Sequence, residues 1–191
     1  MQSSAFTVVY DACVLYPAPL RDFLMRLALT GRFRARWSNE IQEEWRRNVI
    51  SNRPDLDPEA LSRTVQFMNE AIPDVLVRGH EHLISGLALP DQNDRHVLAA
   101  AIKCHASVIV TFNKKDFPAE TLAEFGIETQ HPDVFVEYLF DLDQAAVIAA
   151  AQAQRRSLKN PTVCVDQFLE TLLKQGMVQT TKALSNFKAV L

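Results

Sequence analysis

Acidic side chains recur in this sequence at points where several could meet around a cation. Asp11 follows the apolar run 6–10, and Asn113 and Asp116 follow a second apolar run that ends at Phe112. Carboxylates that converge from separate segments raise each other's pKa unless a cation lies between them. Oxygen ligands favour Mg²⁺ or Mn²⁺, ions that can activate water and stabilise charge on a phosphodiester. The remaining candidates stand at or near helix starts: Glu40, Glu43, Glu44, Asp91 and Asp94.

The elements that must position these side chains alternate between strands and helices. Short apolar runs predict strands at 6–10, 75–77, 107–112 and 127–129. Helical spacing and capping residues predict helices at 20–28, after Ser38, after Asp57-Pro58, after Pro90-Asp91 and around 121–125. Alternating strands and helices imply right-handed crossovers and a mainly parallel α/β sheet. Ligands of such sheets bind outside the carboxyl ends of the strands, where Asp11 and Asn113 are expected.

The last third of the chain has a different pattern, because from about residue 131 it predicts helices alone. The expected helices are 141–158, 163–173 and 178–191. We therefore predict an α/β domain over residues 1–131 and a helical C-terminal extension over residues 132–191. This extension is expected to pack on the sheet domain or on a partner.

The composition limits the class of protein. The 191 residues are 48% hydrophobic with a formal charge of −3, as in an ordinary globular protein. Five glycines leave little material for a glycine-rich phosphate loop, and no apolar run reaches the length of a membrane span. Residues 1–4 lack the basic start of a signal peptide, and the three cysteines form no C-x-x-C pair. A cytoplasmic protein without a disulfide framework is expected.

Positive charge is concentrated in one part of the sequence. Between Arg21 and Arg53 there are eight arginines and four acidic residues, a local balance of +4. An alternative is that these arginines only cover a solvated face. If the protein binds a phosphate backbone, this stretch is the expected contact, since arginine suits phosphate geometry. The candidates are Arg32, Arg34, Arg36, Arg46 and Arg47.

Four segments resemble, in order and spacing, the four motifs of PIN-domain nucleases, and most closely the VapC-type toxins of bacterial toxin–antitoxin pairs. They are Val8–Asp11, Ser38–Trp45, Pro90–Ala101 and Val110–Phe117. The resemblance covers about residues 5–130. It implies a Rossmann-like three-layer α/β/α sandwich and an endoribonuclease that hydrolyses RNA with Mg²⁺ or Mn²⁺. It also implies a cognate antitoxin protein as partner and a homodimer.

The resemblance assigns roles position by position. Asp11 corresponds to the first metal ligand, Glu44 to the acidic residue of the helix, and Asp94 to the third acid. Glu43 replaces Glu44 if the register is shifted by one residue. Asp91 assists through water.

The fourth motif departs from the family. Where relatives have an aspartate after the strand threonine, this chain has Asn113, with Asp116 three residues later. A neutral amide holds a cation less strongly, so we expect a weaker second metal, and we count both residues among the catalytic candidates. A second departure is Cys13, where many relatives have a hydroxyl. The alternative function is a catalytically inactive PIN-like scaffold that binds protein or RNA.

Two other chemistries are weaker. A cysteine phosphatase would use Cys13 and Arg21, but the seven residues from Val14 to Leu20 include two prolines and are poorly suited to a compact loop of N–H donors. His80, Glu81 and His82 could bind a metal, but no further ligands follow at zinc spacing. We expect this second group to lie on a solvated turn.

Overall fold

The computed structural model describes residues 6–191, so the expectation about residues 1–4 lies outside the described part. Five strands form one sheet in which every neighbouring pair is parallel, in the order β3-β2-β1-β4-β5. The strands are β1 (Thr7–Tyr10), β2 (Arg34–Ser38), β3 (Leu76–Val77), β4 (Val108–Val110) and β5 (Glu128–Gln130). This confirms the predicted parallel α/β sheet.

Helices fill every connection between strands. Between β1 and β2 lie α1 (Ala12–Leu15) and α2 (Ala18–Ala28), and between β2 and β3 lie α3 (Asn39–Asn52) and α4 (Pro58–Ala71). α5 (Glu81–Ile84) and α6 (Arg95–Lys103) join β3 to β4, and α7 (Ala119–Ala123) joins β4 to β5. Four more helices complete the chain: α8 (Pro132–Leu142), α9 (Gln144–Ser157), α10 (Val165–Lys174) and α11 (Val178–Ser185).

The order of the strands creates a crevice beside β1. The chain goes from β1 outward to β2 and β3, then returns past β1 to form β4 and β5 on the other side. Connections on the two sides therefore leave in opposite directions, which opens a ligand-binding crevice at the carboxyl ends of β1 and β4. Tyr10 pairs with Val110, so Asp11 and Thr111 come next to each other at this edge.

The strand β2 was not predicted, and its sequence explains why. Arg34-Ala35-Arg36-Trp37 alternates between arginines and buried apolar residues, and Ala35 and Trp37 are fully or almost fully buried. A strand inside a parallel sheet is usually apolar throughout. The arginines near the amino end of β2 hid this pattern, because a long arginine side chain can extend from the sheet to water.

Two helix predictions near the C-terminus were also wrong in extent. The predicted helix 141–158 is in fact the end of α8 and the whole of α9, separated at Asp143. The Asp143 side chain accepts a hydrogen bond from the backbone N–H of Ala146 (3.0 Å), so it caps α9. The last predicted helix ends at Ser185, well before residue 191.

The C-terminal helices share one apolar core with the sheet. Phe135 of α8 is fully buried, with its ring centroid 5.1 Å from that of Phe33 and 6.3 Å from that of Tyr10. α9 packs on α2, and Gln154 donates a hydrogen bond to the carbonyl of Pro19 (2.7 Å). The domain boundary at residue 131 therefore stays a prediction. The apolar core is continuous across this boundary. In the described range, no helix combines the length and hydrophobicity needed to cross a membrane.

Candidate active site

Asp11 is held rigidly at the carboxyl end of β1. Its side chain is 4% exposed, and its Oδ2 accepts hydrogen bonds from Thr111 Oγ1 (2.7 Å) and Cys13 Sγ (3.0 Å). The backbone N–H of Asn113 donates to the same threonine hydroxyl (2.9 Å), which fixes the direction of the hydroxyl proton towards Asp11. Thr111, which directly follows β4, therefore orients the carboxylate of Asp11, which directly follows β1.

The pKa of Asp11 is raised, chiefly because burial disfavours the charged carboxylate. The hydrogen bonds from Cys13 and Thr111 oppose this rise, and the nearby charge of Glu44 adds to it. Burial also raises the pKa of the Cys13 thiol, so this group stays protonated and acts as a donor. This state does not suit a nucleophile, which weakens the phosphatase alternative.

The helix α3 has one face that packs in the core and another that faces a cleft. Ser38 caps the helix by accepting a hydrogen bond from Ile41 N–H (3.2 Å), and Ile41 and Trp45 are fully buried. The other face lines the cleft and carries Glu44, whose Oε2 lies 3.1 Å from His96 Nε2 on α6. Glu43 also lines the cleft, but it is 61% exposed and pairs with Arg46 (2.7 Å), so the geometry favours Glu44 over Glu43 as the ligand candidate of this helix.

Asp94 stands at the centre of the acidic residues. One of its carboxylate oxygens, Oδ2, is buried and has no hydrogen-bond partner among the described residues. Burial raises its pKa from the ordinary value of 3.8 to about 7, and nearby negative charges contribute in the same direction. These charges belong to Asp11, Asp91, Asp116 and Glu44. The structure thus brings together five carboxylates from four separate segments of the sequence.

Asn113 and Asp116 form a connected pair after β4. The amide of Asn113 donates a hydrogen bond to Asp116 Oδ2, and Asn113 also lines the cleft. Asp116 lies on a short 3₁₀ turn and is close enough to Asp94 to raise its pKa. An acid is therefore present near the fourth position, three residues later than in the family pattern. Asp91 caps the neighbouring turn by accepting a hydrogen bond from Asn93 N–H (2.8 Å).

Several of these side chains, but not Asp11 or Asp116, line an open cleft of about 560 Å³. Two polar residues of α3, Arg47 and Asn48, line the cleft together with Asn113 and Asp94. The cleft is large enough for a nucleotide-sized group, and its acidic floor with one arginine on the wall suits a cation together with a phosphate. The other residues that line it are Glu40, Glu43, Glu44, Asp91, Asn93 and His96.

The five arginines predicted to bind phosphate are not together. Arg47 lines the cleft, and Arg46 beside it is bonded to Glu43 and Ser62. Arg34 and Arg36 instead line a more apolar pocket of about 460 Å³ near the amino end of β2, the opposite edge of the sheet. Arg32 pairs with Asp143 (2.5 Å). The structure therefore does not bring these last three arginines to the carboxylates.

Three groups that hold the site in position were missed in the sequence. Thr111 and Cys13 bond to Asp11, and His96 contacts Glu44. Because an ionised carboxylate only accepts hydrogen bonds, His96 Nε2 must carry the proton that binds Glu44. One signal for His96 was its position: it lies in the first turn of α6, two residues after Asp94, which directly precedes that helix. Cys13 stood out only as a departure from the family's hydroxyl, and Thr111 only as the strand threonine of the fourth motif. Their contact with Asp11 depends on the pairing of β1 with β4.

Comparison with known families agrees with this geometry. The family model described as PIN domain matches residues 7–115, more than half of the chain. A second model, described as VapC50 C-terminal domain, matches residues 132–186. The chain belongs to the PIN-domain family.

A particular relative points in the same direction. The chain is 38% identical over 82 residues to a protein of Mycobacterium tuberculosis named "Putative ribonuclease VapC50". This alignment covers 43% of the chain and 48% of the relative, so the chain spans about half the length of the relative it matches. No solved structure matches the chain. The resemblance to VapC-type PIN proteins, first indicated by the four motifs, is confirmed.

Proposed function

We propose that this protein is a metal-dependent endoribonuclease that hydrolyses RNA phosphodiester bonds. The observation that carries the proposal is the buried Oδ2 of Asp94, which has no hydrogen-bond partner among the described residues and lies near other carboxylates. Burial raises the pKa of Asp94, and these negative charges add to the rise. Such a cluster of carboxylates is unfavourable without a cation. The membership of the chain in the PIN-domain family supports the same chemistry. The metal ligands we assign are Asp11, Glu44 and Asp94, with Asn113 or Asp116 as a weaker fourth group.

The donor set fits Mg²⁺ or Mn²⁺, because all the proposed ligands offer oxygen atoms. When bound, such an ion lowers the pKa of a water and stabilises the negative charge that develops on the phosphate. The residues of the chain have separate tasks. Thr111 and Cys13 keep the Asp11 carboxylate in one orientation, and His96 does the same for Glu44. Residues that hydrogen-bond to metal ligands in this way commonly change metal affinity or activity by about 10–100-fold when they are mutated.

We assign contact with the RNA backbone to Arg47. It lines the same cleft as Glu44 and Asp94, whereas Arg46 is engaged with Glu43. A guanidinium binds phosphate oxygens through two parallel hydrogen bonds, which orients the phosphate beside the carboxylates. Phosphate contacts contribute affinity and not sequence choice, so this arrangement suits a backbone-directed nuclease.

The biological role we propose is that of the toxin in a bacterial toxin–antitoxin pair. The similarity to a VapC-named relative and to the VapC50 C-terminal domain supports this role. The expected partners are RNA and a cognate antitoxin protein, with a homodimer as the assembly and the cytoplasm as the location.

The deciding experiment is a cleavage assay with labelled structured RNA in Mn²⁺, Mg²⁺ or EDTA. We expect metal-dependent cleavage by the wild type and at least a hundredfold loss in Asp11→Asn, on the order of the effect of removing a group that stabilises the transition state. Asp55→Asn is the matched control, since Asp55 is exposed and pairs with Arg53 away from the cleft. It should cleave like the wild type.

The alternative, an inactive PIN-like scaffold, is favoured by one observation, the amide of Asn113 at the fourth position. If wild-type protein cleaves none of several RNAs and binds no Mn²⁺ in calorimetry, the nuclease proposal is wrong and the scaffold replaces it. If Asn113→Asp restores strong cleavage to a silent wild type, the amide itself is the cause of the lost activity.

A further inference from the structure

His80 is a buried histidine whose ring forms no hydrogen bond with the residues that the structure describes. It precedes α5, its side chain is 1% exposed, and neither ring nitrogen has a hydrogen-bond partner among the described residues. The expectation that His80 lies on a solvated turn was therefore wrong. The signal was hidden because its neighbour in space, Glu40, is forty positions earlier in the sequence. A buried imidazole ring with two unsatisfied nitrogens costs free energy. Such groups in folded proteins usually have a partner, which can be an ion or water that the protein binds.

Two glutamates approach this ring from different elements. Glu40 Oε2, in the first turn of α3, lies 3.5 Å from His80 Nε2, and Glu81 Oε1 lies 4.0 Å from His80 Nδ1. Within residues 6–191, these three form the one group of His, Cys, Asp and Glu side chains whose ligand atoms all lie within 4.8 Å of one another. Both glutamates are partly exposed, at 42% and 60%, so an ion can reach the group from solvent.

We propose that Glu40, His80 and Glu81 bind an accessory transition-metal ion, most suitably Zn²⁺, at a site separate from the Asp11, Glu44 and Asp94 group. An imidazole nitrogen with two carboxylate oxygens is a ligand set that zinc accepts, with water in the remaining position. Ligand atoms around one tetrahedral zinc ion lie about 3.4 Å apart, given bond lengths of about 2.0–2.2 Å. The Nε2–Oε2 distance of 3.5 Å already has this value.

The simpler explanation is a protonated His80 held between two glutamates. Charge-assisted hydrogen bonds of this kind are about 2.7–2.9 Å long. The observed separations of 3.5 and 4.0 Å are longer, and neither nitrogen forms a hydrogen bond. A cation bound at Nε2 would account for the 3.5 Å spacing between Nε2 and Glu40 Oε2, whereas Glu81 approaches the other nitrogen, Nδ1, at 4.0 Å. The exposed Glu81 side chain can rotate to complete the set.

An ion at this site would connect two elements beside the candidate active site. Glu40 belongs to α3, the helix that also carries Glu44, and it lines the same cleft. Glu81 belongs to α5, which packs against α6, the helix that begins directly after Asp94. Occupancy therefore ties the starts of α3 and α5 together and adds positive charge at the rim of the cleft.

The test is calorimetry with Zn²⁺ on the full chain in saturating Mg²⁺, which competes for the oxygen-only site. We expect His80→Gln and Glu81→Gln to bind Zn²⁺ at least about tenfold more weakly than the wild type. His82→Gln is the matched control, because His82 is exposed on the same short helix and belongs to neither acidic group. It should bind like the wild type, and so should Asp94→Asn.

The set of variants separates this proposal from the proposed nuclease function. Loss of Zn²⁺ binding in Asp94→Asn but not in Glu81→Gln would place the ion at the other site and overturn the accessory site. Equal Zn²⁺ affinity in wild type, His80→Gln and Glu81→Gln would also overturn it. Because Glu81 is exposed, its variant remains informative even if His80→Gln fails to fold. A rise in thermal midpoint with Zn²⁺, lost in Glu81→Gln, provides a second supporting readout.

Discussion

Asp11 and Asp94 show how differently two carboxylates of one site can be held. Asp11 is almost fully buried, and two donors from Thr111 and Cys13 point at one of its oxygens. Asp94 has an oxygen without any donor and faces the charges of its neighbours. The first carboxylate is therefore oriented in advance. The second gains more from a cation, because its buried Oδ2 has no donor among the described residues.

The raised pKa of Asp94 predicts how the metal-free protein responds to pH. With a value of about 7 in the folded chain against 3.8 ordinarily, the folded state holds this proton more tightly than the unfolded state. The contribution of Asp94 to stability is thus present below pH 4 and is lost as pH rises through 7. Since asparagine resembles the protonated acid, Asp94→Asn should stabilise the metal-free protein, and more strongly at pH 8 than at pH 5. Urea unfolding at both pH values measures this.

Two controls belong to this experiment. Asp141→Asn removes one exposed carboxylate on α8 and tests the effect of net charge alone. Added Mn²⁺ at pH 8 should stabilise the wild type and not Asp94→Asn. A stabilisation by Asp94→Asn that is equal at pH 5 and pH 8 would show that the carboxylate does not titrate in this range.

The helix α3 is the element on which the cleft depends most. Its apolar stripe, with Ile41 and Trp45, faces the core, and its polar stripe carries Glu44 and Arg47 into the cleft. Arg21 lies over the Trp45 ring, 4.3 Å from its centroid, and so adds a cation–π contact that holds the helix from the α2 side. The direction of the catalytic candidates follows from how the helix packs.

The cap of α3 can be tested by itself. Ser38 Oγ accepts the Ile41 N–H in a fully buried position, so Ser38→Ala leaves that donor without a partner. We expect a loss of about 1 kcal/mol in the free energy of unfolding, within a range of about 0.5–2 kcal/mol. Urea denaturation measures it. Ser185→Ala at the exposed end of α11 is the control and should change stability by less than about 0.5 kcal/mol. Equal losses in both variants would show that the Ser38 cap has no special weight.

On the scale of the whole molecule, the C-terminal helices are part of the fold that carries the site. Asp133 of α8 caps α11, since its carboxylate accepts hydrogen bonds from the N–H groups of Gln179 (2.8 Å) and Thr180 (2.9 Å). Phe135 of the same helix packs on Phe33, which directly precedes β2, and on Tyr10, the last residue of β1 and the neighbour of Asp11. Removal of residues 132–191 would therefore open the core.

A substitution at Phe135 tests whether the C-terminal helices and the sheet share one core. Phe135→Ala removes a fully buried ring, and we expect it to cost about 3–5 kcal/mol in the free energy of unfolding. The neighbouring Val134→Ala, at a side chain that is 51% exposed, should cost less than about 0.5 kcal/mol. Thermal or urea unfolding of the two variants decides. Similar stabilities would mean that the helical extension does not share the core of the sheet.

Sequence patterns alone placed most of the elements. Buried strands without alternation, the Asp57-Pro58 helix start and the Ser38 cap were all predicted and are observed. These features are local, because a cap or a strand is encoded within a few residues. The strand β2 was missed, since its arginines at alternate positions concealed an otherwise buried run.

The sequence by itself determined the parallel α/β fold, the family, and the acids at strand and helix ends. Only the tertiary structure decided which groups meet: Thr111 with Asp11, His96 with Glu44, and Glu40 with His80. It also divided the arginine stretch, sending Arg34 and Arg36 to the opposite edge from Arg47. The reason is physical. Local patterns fix where an element begins and which face is buried, whereas contacts between distant residues depend on the order and register of the strands.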